Sequence, residues 1–458
     1  MTGRSPGLLR RHRDFRLLWC GETAGKFGTA VSNVAMPLVA VSTLHAPTFA
    51  VGLLSACTWL PWLLIGLPVG VWVDRLRRRP LMLGAAGLSL VLFAAVPVLA
   101  RYGGLSLGLL ITVALLTGAA AVVFQTAYSA YLPALLAPAD QPEGNAKLHG
   151  SASAAQIAGQ GAGGLIAQLA GAVNGLFAHA ATFLIALLCL LGIRHREPRP
   201  APRDAPRALT AEVAEGLRLV AGDKWFRTLT LFGAASNLAL MGYQSMAAVF
   251  LVREVGLSPG TVGGVLALAS TGGIAGAFLA RRAADRFGTA RAMLLCELGL
   301  PGAALLIPLA AHGAGALLYV AGSFGVSAGA VAGNILKASF QQRYCPPALL
   351  GRVIASSSFV NYGTLPLGAL LGGALGSTLG LRPAMWIMTA GVPLAALILL
   401  FSPVGSVRDL PTRPAGEEQR EPGEGGPDPE RRDGPDSEQG DGPGPGTEEG
   451  RDGAPARR

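Results

Sequence analysis

The sequence is poor in charged residues and in paired cysteines. Only 14% of its 458 residues are Asp, Glu, Lys or Arg, whereas 51% are apolar. Soluble domains carry about 25% charged residues, so this composition is too apolar for an ordinary soluble protein of this length. The five cysteines show no paired spacing and four of them fall within apolar runs, which indicates packing residues and neither disulfides nor metal sites.

Sequence motifs for catalysis and nucleotide binding are also missing. No G-x-x-x-x-G-K-[ST] pattern occurs, which argues against a protein driven directly by ATP. No His/Cys metal spacing and no Ser/His/Asp arrangement for hydrolysis is found. The net charge of +10 could suggest a nucleic-acid partner, but the basic residues lie beside apolar runs, where a membrane surface explains them better. The sequence therefore predicts no enzyme, cofactor, metal or nucleic-acid partner.

What the sequence contains instead is a series of apolar runs of about twenty residues, the length that crosses a bilayer as a helix. Because backbone polar groups must be satisfied inside hydrocarbon, repeated crossings of this composition predict an α-helical bundle. The 63 glycines suit close helix packing. The twelve predicted spans are 15–44, 49–73, 81–100, 105–132, 146–170 and 172–193 in the first half, and 226–251, 260–280, 290–311, 314–337, 353–378 and 383–401 in the second.

These spans form two sets of six, which predicts an all-α membrane protein made of two pseudo-symmetric six-helix bundles, residues 1–194 and 226–402. Residues 195–225 are predicted to form a cytoplasmic linker. It begins with a Pro/Arg stretch and continues with apolar residues at helical spacing from Leu209 to Val220, which predicts an amphipathic helix on the membrane surface. Residues 403–458 hold fourteen acidic residues, eight arginines and many Gly and Pro, which predicts a disordered, solvated cytoplasmic tail.

A cluster of arginines separates the second and third predicted spans. It begins with Gly70-x-x-x-Asp74-Arg75 and continues with Arg77, Arg78 and Arg79. Basic clusters favour the cytoplasmic side of a membrane, so this turn predicts the orientation of all spans and places both termini in the cytoplasm. The remaining charges agree with this orientation, because the outside loops then hold three basic residues and the inside segments before the tail hold twenty-five.

The Gly70–Arg79 stretch resembles the signature between the second and third helices of the major facilitator superfamily of secondary transporters, with Arg77 in place of the usual second glycine. Four further stretches resemble the macrolide-efflux and enterobactin-exporter branch of that superfamily. These stretches are Phe15–Trp19, Val51–Leu54 with Leu60-Pro61, Leu132-Pro133 and Gly351–Val353.

The resemblance implies a monomeric inner-membrane transporter that exports a hydrophobic or amphiphilic small molecule, such as a drug, an antibiotic or a siderophore-like compound, in exchange for protons. Two departures leave proton coupling open: Ala85-Ala86 and Ser89 occupy positions where relatives carry Ala-Asp and Arg, and the fourth span has no arginine. Two alternatives also remain open, namely an importer or facilitator of the same fold and a non-transporting membrane sensor or scaffold.

The resemblance and the residue pattern together predict a conformational latch at the cytoplasmic face. Gly70 and Asp74 share one helix face, where the glycine allows close approach and the aspartate can bind a partner across the seam between the halves. The predicted latch residues are Gly70, Asp74, Arg75, Arg78 and Arg79. An ordinary positive-inside loop is the simpler interpretation.

Three further groups are candidate sites. Glu22 and Lys26, one turn apart within the first span, predict a proton or charge site, or alternatively a structural pair closing the cytoplasmic end. Small residues in the fifth span predict a helix-packing motif, formed by Gly159, Gln160, Gly163 and Gly164. Uncharged polar residues predict a substrate cavity or, alternatively, interhelical hydrogen bonds. This last set is Asn33, Gln125, Tyr128, Asn237, Tyr243, Gln244, Asn361 and Tyr362.

Overall fold

Helices account for every regular element in the part of the chain that the computed structural model describes, residues 7–195 and 209–412. Twelve of these helices are long. They are α1 (Arg13–Leu38, continued by a π-helical segment, Val39–Thr43), α2 (Thr48–Arg75), α3 (Arg78–Arg101), α4 (Leu107–Leu135), α5 (Gln141–Ala170), α6 (Ala172–Gly192), α7 (Lys224–Arg253), α8 (Pro259–Phe287), α9 (Thr289–Leu309), α10 (Gly313–Tyr344), α11 (Pro347–Thr378) and α12 (Leu381–Leu400). Each predicted span corresponds to one of them, so the predicted all-α membrane fold is confirmed.

Nine of the twelve described helices are long and apolar enough to cross a membrane by length and composition. The three that fall short of that composition, α1, α5 and α11, have 26, 30 and 32 residues and are long enough to cross. Polar and charged side chains within a span face the interior of a bundle or a water-filled cavity. The three polar helices are therefore the first candidates for the cavity wall and for the seam between the halves.

Glycines lie in three short connections between successive helices, and in two of them the glycine is the only connecting residue. Gly171 lies between α5 and α6, Gly288 between α8 and α9, and Gly380 between α11 and α12, with φ values of 88°, 87° and 95°. This left-handed backbone conformation is strained for residues that carry a Cβ, so glycine allows the chain to reverse within one residue. Elsewhere a side chain caps the helix, as at α7, where Asp223 accepts hydrogen bonds from the N–H groups of Trp225 and Phe226 at 2.8 and 2.9 Å.

The helices pack as two halves, α1–α6 and α7–α12. In the first half α1 packs against α5 and α6, α2 against α4, and α3 against α4 and α6. In the second half α7 packs against α11 and α12, and α10 packs against α8 and α9. Two helix pairs carry the principal contacts between the halves, α2 with α11 and α5 with α8.

The two ends of the bundle differ in how the halves meet. We call the end with the α2–α3 turn and the Leu209–Gly222 helix the basic end, and the other the far end. At the far end one apolar cluster includes buried residues of both halves, such as Val34 and Leu54 with Met246 and Phe250. At the basic end the described residues form two separate clusters, one around Tyr131 in the first half and one around Phe340 and its neighbours in the second. The halves are therefore closed on each other at the far end and parted at the basic end.

The linker helix, Leu209–Gly222, forms where the sequence predicts a helix, but its described part packs on α11 and not on a free surface. A Cβ on Gly216 would overlap the Ser356 hydroxyl, and Arg352 Nη1 donates to Glu215 Oε1 at 2.9 Å. Gly216 allows the close contact with α11, and the position of this helix on the membrane surface stays a prediction. The Pro/Arg stretch before it, residues 196–208, lies outside the described residues.

The predicted start of the tail at residue 403 is also wrong, because the compact unit continues to Thr412. A short helix, Pro403–Ser406, follows α12. The carbonyl oxygen of Arg408 then accepts a hydrogen bond from Ala290 N–H at 3.1 Å, and Asp409 Oδ1 accepts from Thr289 N–H at 2.8 Å. These bonds satisfy N–H groups at the start of α9 that have no partner within the helix. The predicted tail from Arg413 onward lies outside the described residues.

Candidate functional site

The parted basic end leaves α1 with a polar face that points away from its helix neighbours. Glu22 and Lys26 lie on this face, together with Thr29 and Asn33, which are exposed. No other group lies within 4 Å of the position that a Cβ on Gly25 would take. This spacing of three and four residues places the side chains in one stripe along α1. Because the far end is closed, this stripe lines the space that opens toward the basic end.

Glu22 and Lys26 form an ion pair within this stripe. Lys26 Nζ lies 3.2 Å from Glu22 Oε1 and donates to Gln125 Oε1 of α4 at 3.5 Å. The lysine side chain is 39% exposed, whereas the glutamate side chain is 10% exposed. The pair lies several turns inside α1 and does not close the basic end, so the structure places it in the wall of the space between the halves.

The eight predicted cavity residues divide into two groups. Asn33, Gln244 and Tyr362 are exposed, and Gln125 is partly exposed. The other four are packed to different degrees between helices. Tyr128 stacks on Phe124, Tyr243 is 3% exposed, Asn361 is 8% exposed, and Asn237 Nδ2 donates to the Asn361 carbonyl oxygen at 3.5 Å. In this conformation Tyr243 and Asn361 are buried among the helices, and their assignment to the cavity stays a prediction.

An aromatic cluster bridges the two halves in the middle of the α2–α11 contact. Tyr362 of α11 lies 5.2 Å from Trp62 and 6.3 Å from Trp59 of α2, measured between ring centroids. Sequence reasoning missed the two tryptophans. Their unusual position could have revealed them. Tryptophan in a span concentrates at the membrane interfaces, whereas these two lie near the middle of α2.

The small residues of α5 contact a helix of each half. A Cβ on Gly159 would lie 2.5 Å from the Phe27 carbonyl oxygen of α1, in the same half. A Cβ on Gly164 would lie 2.6 Å from the Cα of Gly263, on α8 of the other half. Between them, Gln160 Oε1 accepts a hydrogen bond from the Ser270 hydroxyl of α8 at 2.6 Å. Gly163, like Gly159, packs closely against α1, because a Cβ on Gly163 would lie 2.9 Å from the Val31 carbonyl oxygen.

The predicted latch residues lie where α2 ends and α3 begins. No group lies within 4 Å of the position that a Cβ on Gly70 would take, and Arg75 is exposed at the end of α2. The side chain of Asp74 lies outside the described part of the structure. Arg78 begins α3. Arg79 donates to the carbonyl oxygens of Leu190 and Leu191, at 3.0 and 2.9 Å, and so caps α6 of its own half.

A charged contact between the halves occurs at the far end, where the sequence analysis proposed none. Arg253, the last residue of α7, donates from Nη2 to the carbonyl oxygen of Ala46 at 2.8 Å. Ala46 is buried in the turn between α1 and α2, and His45 beside it has a left-handed φ of 52°. The contact joins positions 207 residues apart, which explains why no local pattern revealed it.

Comparisons with known proteins place the chain among transporters. Residues 18–364 and 235–439 match a sequence model described as "Major Facilitator Superfamily". The multidrug efflux pump Tap of Mycolicibacterium fortuitum is 26% identical over 421 residues, which cover 90% of this chain and 99% of that protein. Multidrug resistance protein 1 of Bacillus subtilis is 24% identical over 247 residues, which cover 54% of this chain and 60% of that protein.

Two solved structures share the fold at low sequence identity. A mutant of the nucleoside transporter NupG has a TM-score of 0.72 and 12% identity, and the match covers 84% of this chain and 99% of that one. A bacterial homologue of the iron transporter ferroportin in an inward-facing state has a TM-score of 0.67 and 18% identity, and the match covers 86% of this chain and 99% of that one. These likenesses concern the fold and not the substrate.

Proposed function

The chain belongs to the Major Facilitator Superfamily, and from that premise we propose that this multi-pass transporter exports a hydrophobic or amphiphilic small molecule in exchange for protons. The observation that carries the proposal is the asymmetry of the two ends, with one shared apolar cluster at the far end and two separate clusters at the basic end. Two halves that meet at one end and part at the other can rock about a central site. The multidrug efflux pumps named Tap among the relatives support the outward direction.

The proposed orientation places the basic end and both termini in the cytoplasm, where basic residues beside spans concentrate. The far-end loops carry Arg101, Arg253 and Arg382 as their only basic residues in the orientation derived from the sequence. In this orientation the structure is open to the cytoplasm and ready to accept a substrate. The proton site is proposed at Glu22 and Lys26, the ion pair in the open space, and the transporter is proposed to act as a monomer without a cofactor.

We propose that the α2–α3 turn forms a latch when the basic end closes. In the far-end contact, Gly52 meets Gly373, and in the middle Trp62 meets Tyr362. Both pairs follow one antiparallel register. Continued along α2, that register brings Gly70 opposite α11 near Ala355, and Asp74 opposite the first turn of α11. A carboxylate is stabilised at a helix N-terminus by the free N–H groups and the helix dipole, and Gly70 leaves room for the approach.

An Asp74→Asn variant is expected to insert normally and to lose most of its transport, because the neutral amide is bound less strongly at the α11 N-terminus. A stabilisation of about 1 kcal/mol corresponds to about a fivefold shift toward the state that is open at the basic end. Initial efflux rates in vesicles, compared at equal protein amount, measure the effect. Full efflux in this variant would contradict the latch.

The direct test of the function uses inside-out membrane vesicles that contain the chain and a pH gradient, acid inside. A neutral fluorescent amphiphile, N-phenyl-1-naphthylamine, is expected to accumulate in these vesicles and to leave when a protonophore collapses the gradient. Accumulation in right-side-out vesicles instead would identify an importer. A chain cut after Thr412 is expected to transport at an unchanged rate, because the compact unit ends there. Loss of function on this cut would support the scaffold alternative.

A further inference from the structure

Helices α1, α2, α4 and α7 carry one pair of formal charges at mid-depth, Glu22 and Lys26. In helices α1, α2, α4 and α7, the charged residues other than Glu22 and Lys26 lie in the first or last turns. The polar group that Lys26 contacts on α4, Gln125, is uncharged. An ionisable residue inside a membrane protein marks a path or site for a charged species. The charge that a substrate meets here is therefore decided by how Glu22 and Lys26 are presented.

The Lys26 side chain is more exposed than the Glu22 side chain, which is largely buried. Lys26 is 39% exposed and its ammonium extends from α1 toward Gln125 on α4, whereas Glu22 is 10% exposed. Glu22 lies in a narrow crevice between α1, α4 and α6, beside Leu18 and Phe124. A cationic substrate would have to enter that crevice and displace Lys26. An anion can reach the ammonium directly, without moving the glutamate first.

The lysine and the aromatic cluster lie at the same depth. Lys26 is thirteen residues from the start of α1 at Arg13, and Trp62 is thirteen residues from the end of α2 at Arg75. Both therefore lie about 20 Å along their helices from the basic end, at 1.5 Å per residue. Tyr362 lies fifteen residues into α11, in the same layer. A molecule with a flat apolar body and a charge matches the two kinds of group found in this layer.

We propose that the substrate is an amphiphilic anion, whose planar apolar part contacts Trp59, Trp62 and Tyr362 and whose anionic group binds the Lys26 ammonium in place of Glu22. Charge-assisted hydrogen bonds supply orientation, and the aromatic rings supply apolar contact area. Few polar groups in an otherwise apolar pocket are typical of ligand sites. This inference rests on the proposed transport function, because it assigns the substrate class of the same cavity.

Three probes with fused or linked aromatic rings test the sign of the charge. 8-Anilinonaphthalene-1-sulfonate is anionic, N-phenyl-1-naphthylamine has the same rings without the sulfonate, and ethidium is cationic. Binding is measured on the full chain in nanodiscs, with empty nanodiscs subtracted. We expect Lys26→Gln to weaken binding of the sulfonate about tenfold or more, as for a lost hydrogen bond to a charged group. Lys26→Arg should retain it within about threefold, and the neutral probe should bind all three proteins equally.

Glu22→Gln is the sharper test, because the proposal predicts that it changes sulfonate binding in the opposite direction to Lys26→Gln. Removing the competing carboxylate should strengthen sulfonate binding severalfold, and the double variant with Lys26→Gln should bind as weakly as Lys26→Gln alone. A purely structural ion pair would weaken binding in both single variants and lower their thermal stability together. Ethidium binding that is lost in Glu22→Gln, or sulfonate binding that is indifferent to Lys26, would overturn the proposal.

Transport of the same probes separates this inference from the proposed function. Lys26-dependent binding of the sulfonate without any transport in vesicles would leave the inference standing and reject the transport proposal. Transport of ethidium that does not depend on Lys26 would support the transport proposal and reject the inference of an anionic substrate. Asn33→Ala is the matched control, since Asn33 lies on the same stripe of α1 and carries no charge. It should change sulfonate binding less than Lys26→Gln does.

Discussion

Gly164→Ala is expected to reduce transport at least about tenfold while the protein still inserts and folds. The new Cβ would lie 2.6 Å from Gly263 Cα and 2.8 Å from the Pro259 carbonyl oxygen. Backbone atoms cannot move aside as the end of a flexible side chain can, so α5 and α8 must part. Overpacking costs about 1–3 kcal/mol, which shifts a two-state equilibrium about fivefold to 150-fold. The state closed at the far end should lose population by that factor.

A neighbouring glycine provides the matched control for this substitution. A Cβ on Gly161 would lie 3.8 Å from the Ala267 Cβ, also on α8, and this is an ordinary contact. Gly161→Ala should therefore leave transport unchanged, although it adds the same methyl group to the same motif. The measurement is the initial transport rate in vesicles, together with far-end opening detected by labelling a single cysteine introduced at Thr261. Equal effects of the two substitutions would show that the α5–α8 crossing does not limit transport.

Arg253→Met is expected to move the conformational equilibrium toward opening at the far end by about tenfold. It removes the charged hydrogen bond between Arg253 and the Ala46 carbonyl oxygen, which joins the two halves at 2.8 Å. Hydrogen bonds to charged groups contribute about 1.5–3 kcal/mol, and the partial exposure of this donor favours the lower part of that range. The acceptor is a buried backbone oxygen, so the variant leaves it without this partner.

Distances between spin labels at the far end of the two halves, at the exposed residues Thr43 and Thr261, measure the opening. Arg382→Met is the control, because Arg382 donates to the carbonyl oxygens of Pro308 and Ala310 within its own half, at 2.9 and 3.2 Å. Its loss should lower thermal stability and leave the distance distribution unchanged. An identical shift in both variants, or no shift in either, would mean that Arg253 does not hold the halves together.

Both predictions concern the end of the bundle that the sequence analysis described least. The motif in α5 could be recognised from its glycines, since small residues at helical spacing indicate close packing in any membrane protein. The helices that this motif contacts could not be recognised from the sequence, because Gly164 contacts α8 in the other half while Gly159 contacts α1 in the same half. Arg253 carried no signal beyond being one of three basic residues in the outside loops.

The candidate cavity shows the same division. Glu22 and Lys26 stood out in the sequence because a charged pair inside an apolar run is costly. Which of them faces the space between the halves depends on the crevice beside Phe124, a residue about a hundred positions away. Tyr243 and Asn361 were indistinguishable by type from Gln244 and Tyr362, but the first two are buried and the last two are exposed.

The sequence by itself determined the number of crossings and the division into two halves, and it predicts their orientation, because hydrocarbon accepts only long apolar helices and the inner face attracts arginine. The tertiary structure alone decided which polar residues line the open space, which charge is presented, and which end is closed. Helical periodicity defines the faces of a helix relative to one another, but not the neighbour that covers each face. That choice depends on contacts between residues distant in the chain, and here those contacts place Lys26, rather than Glu22, in the open space.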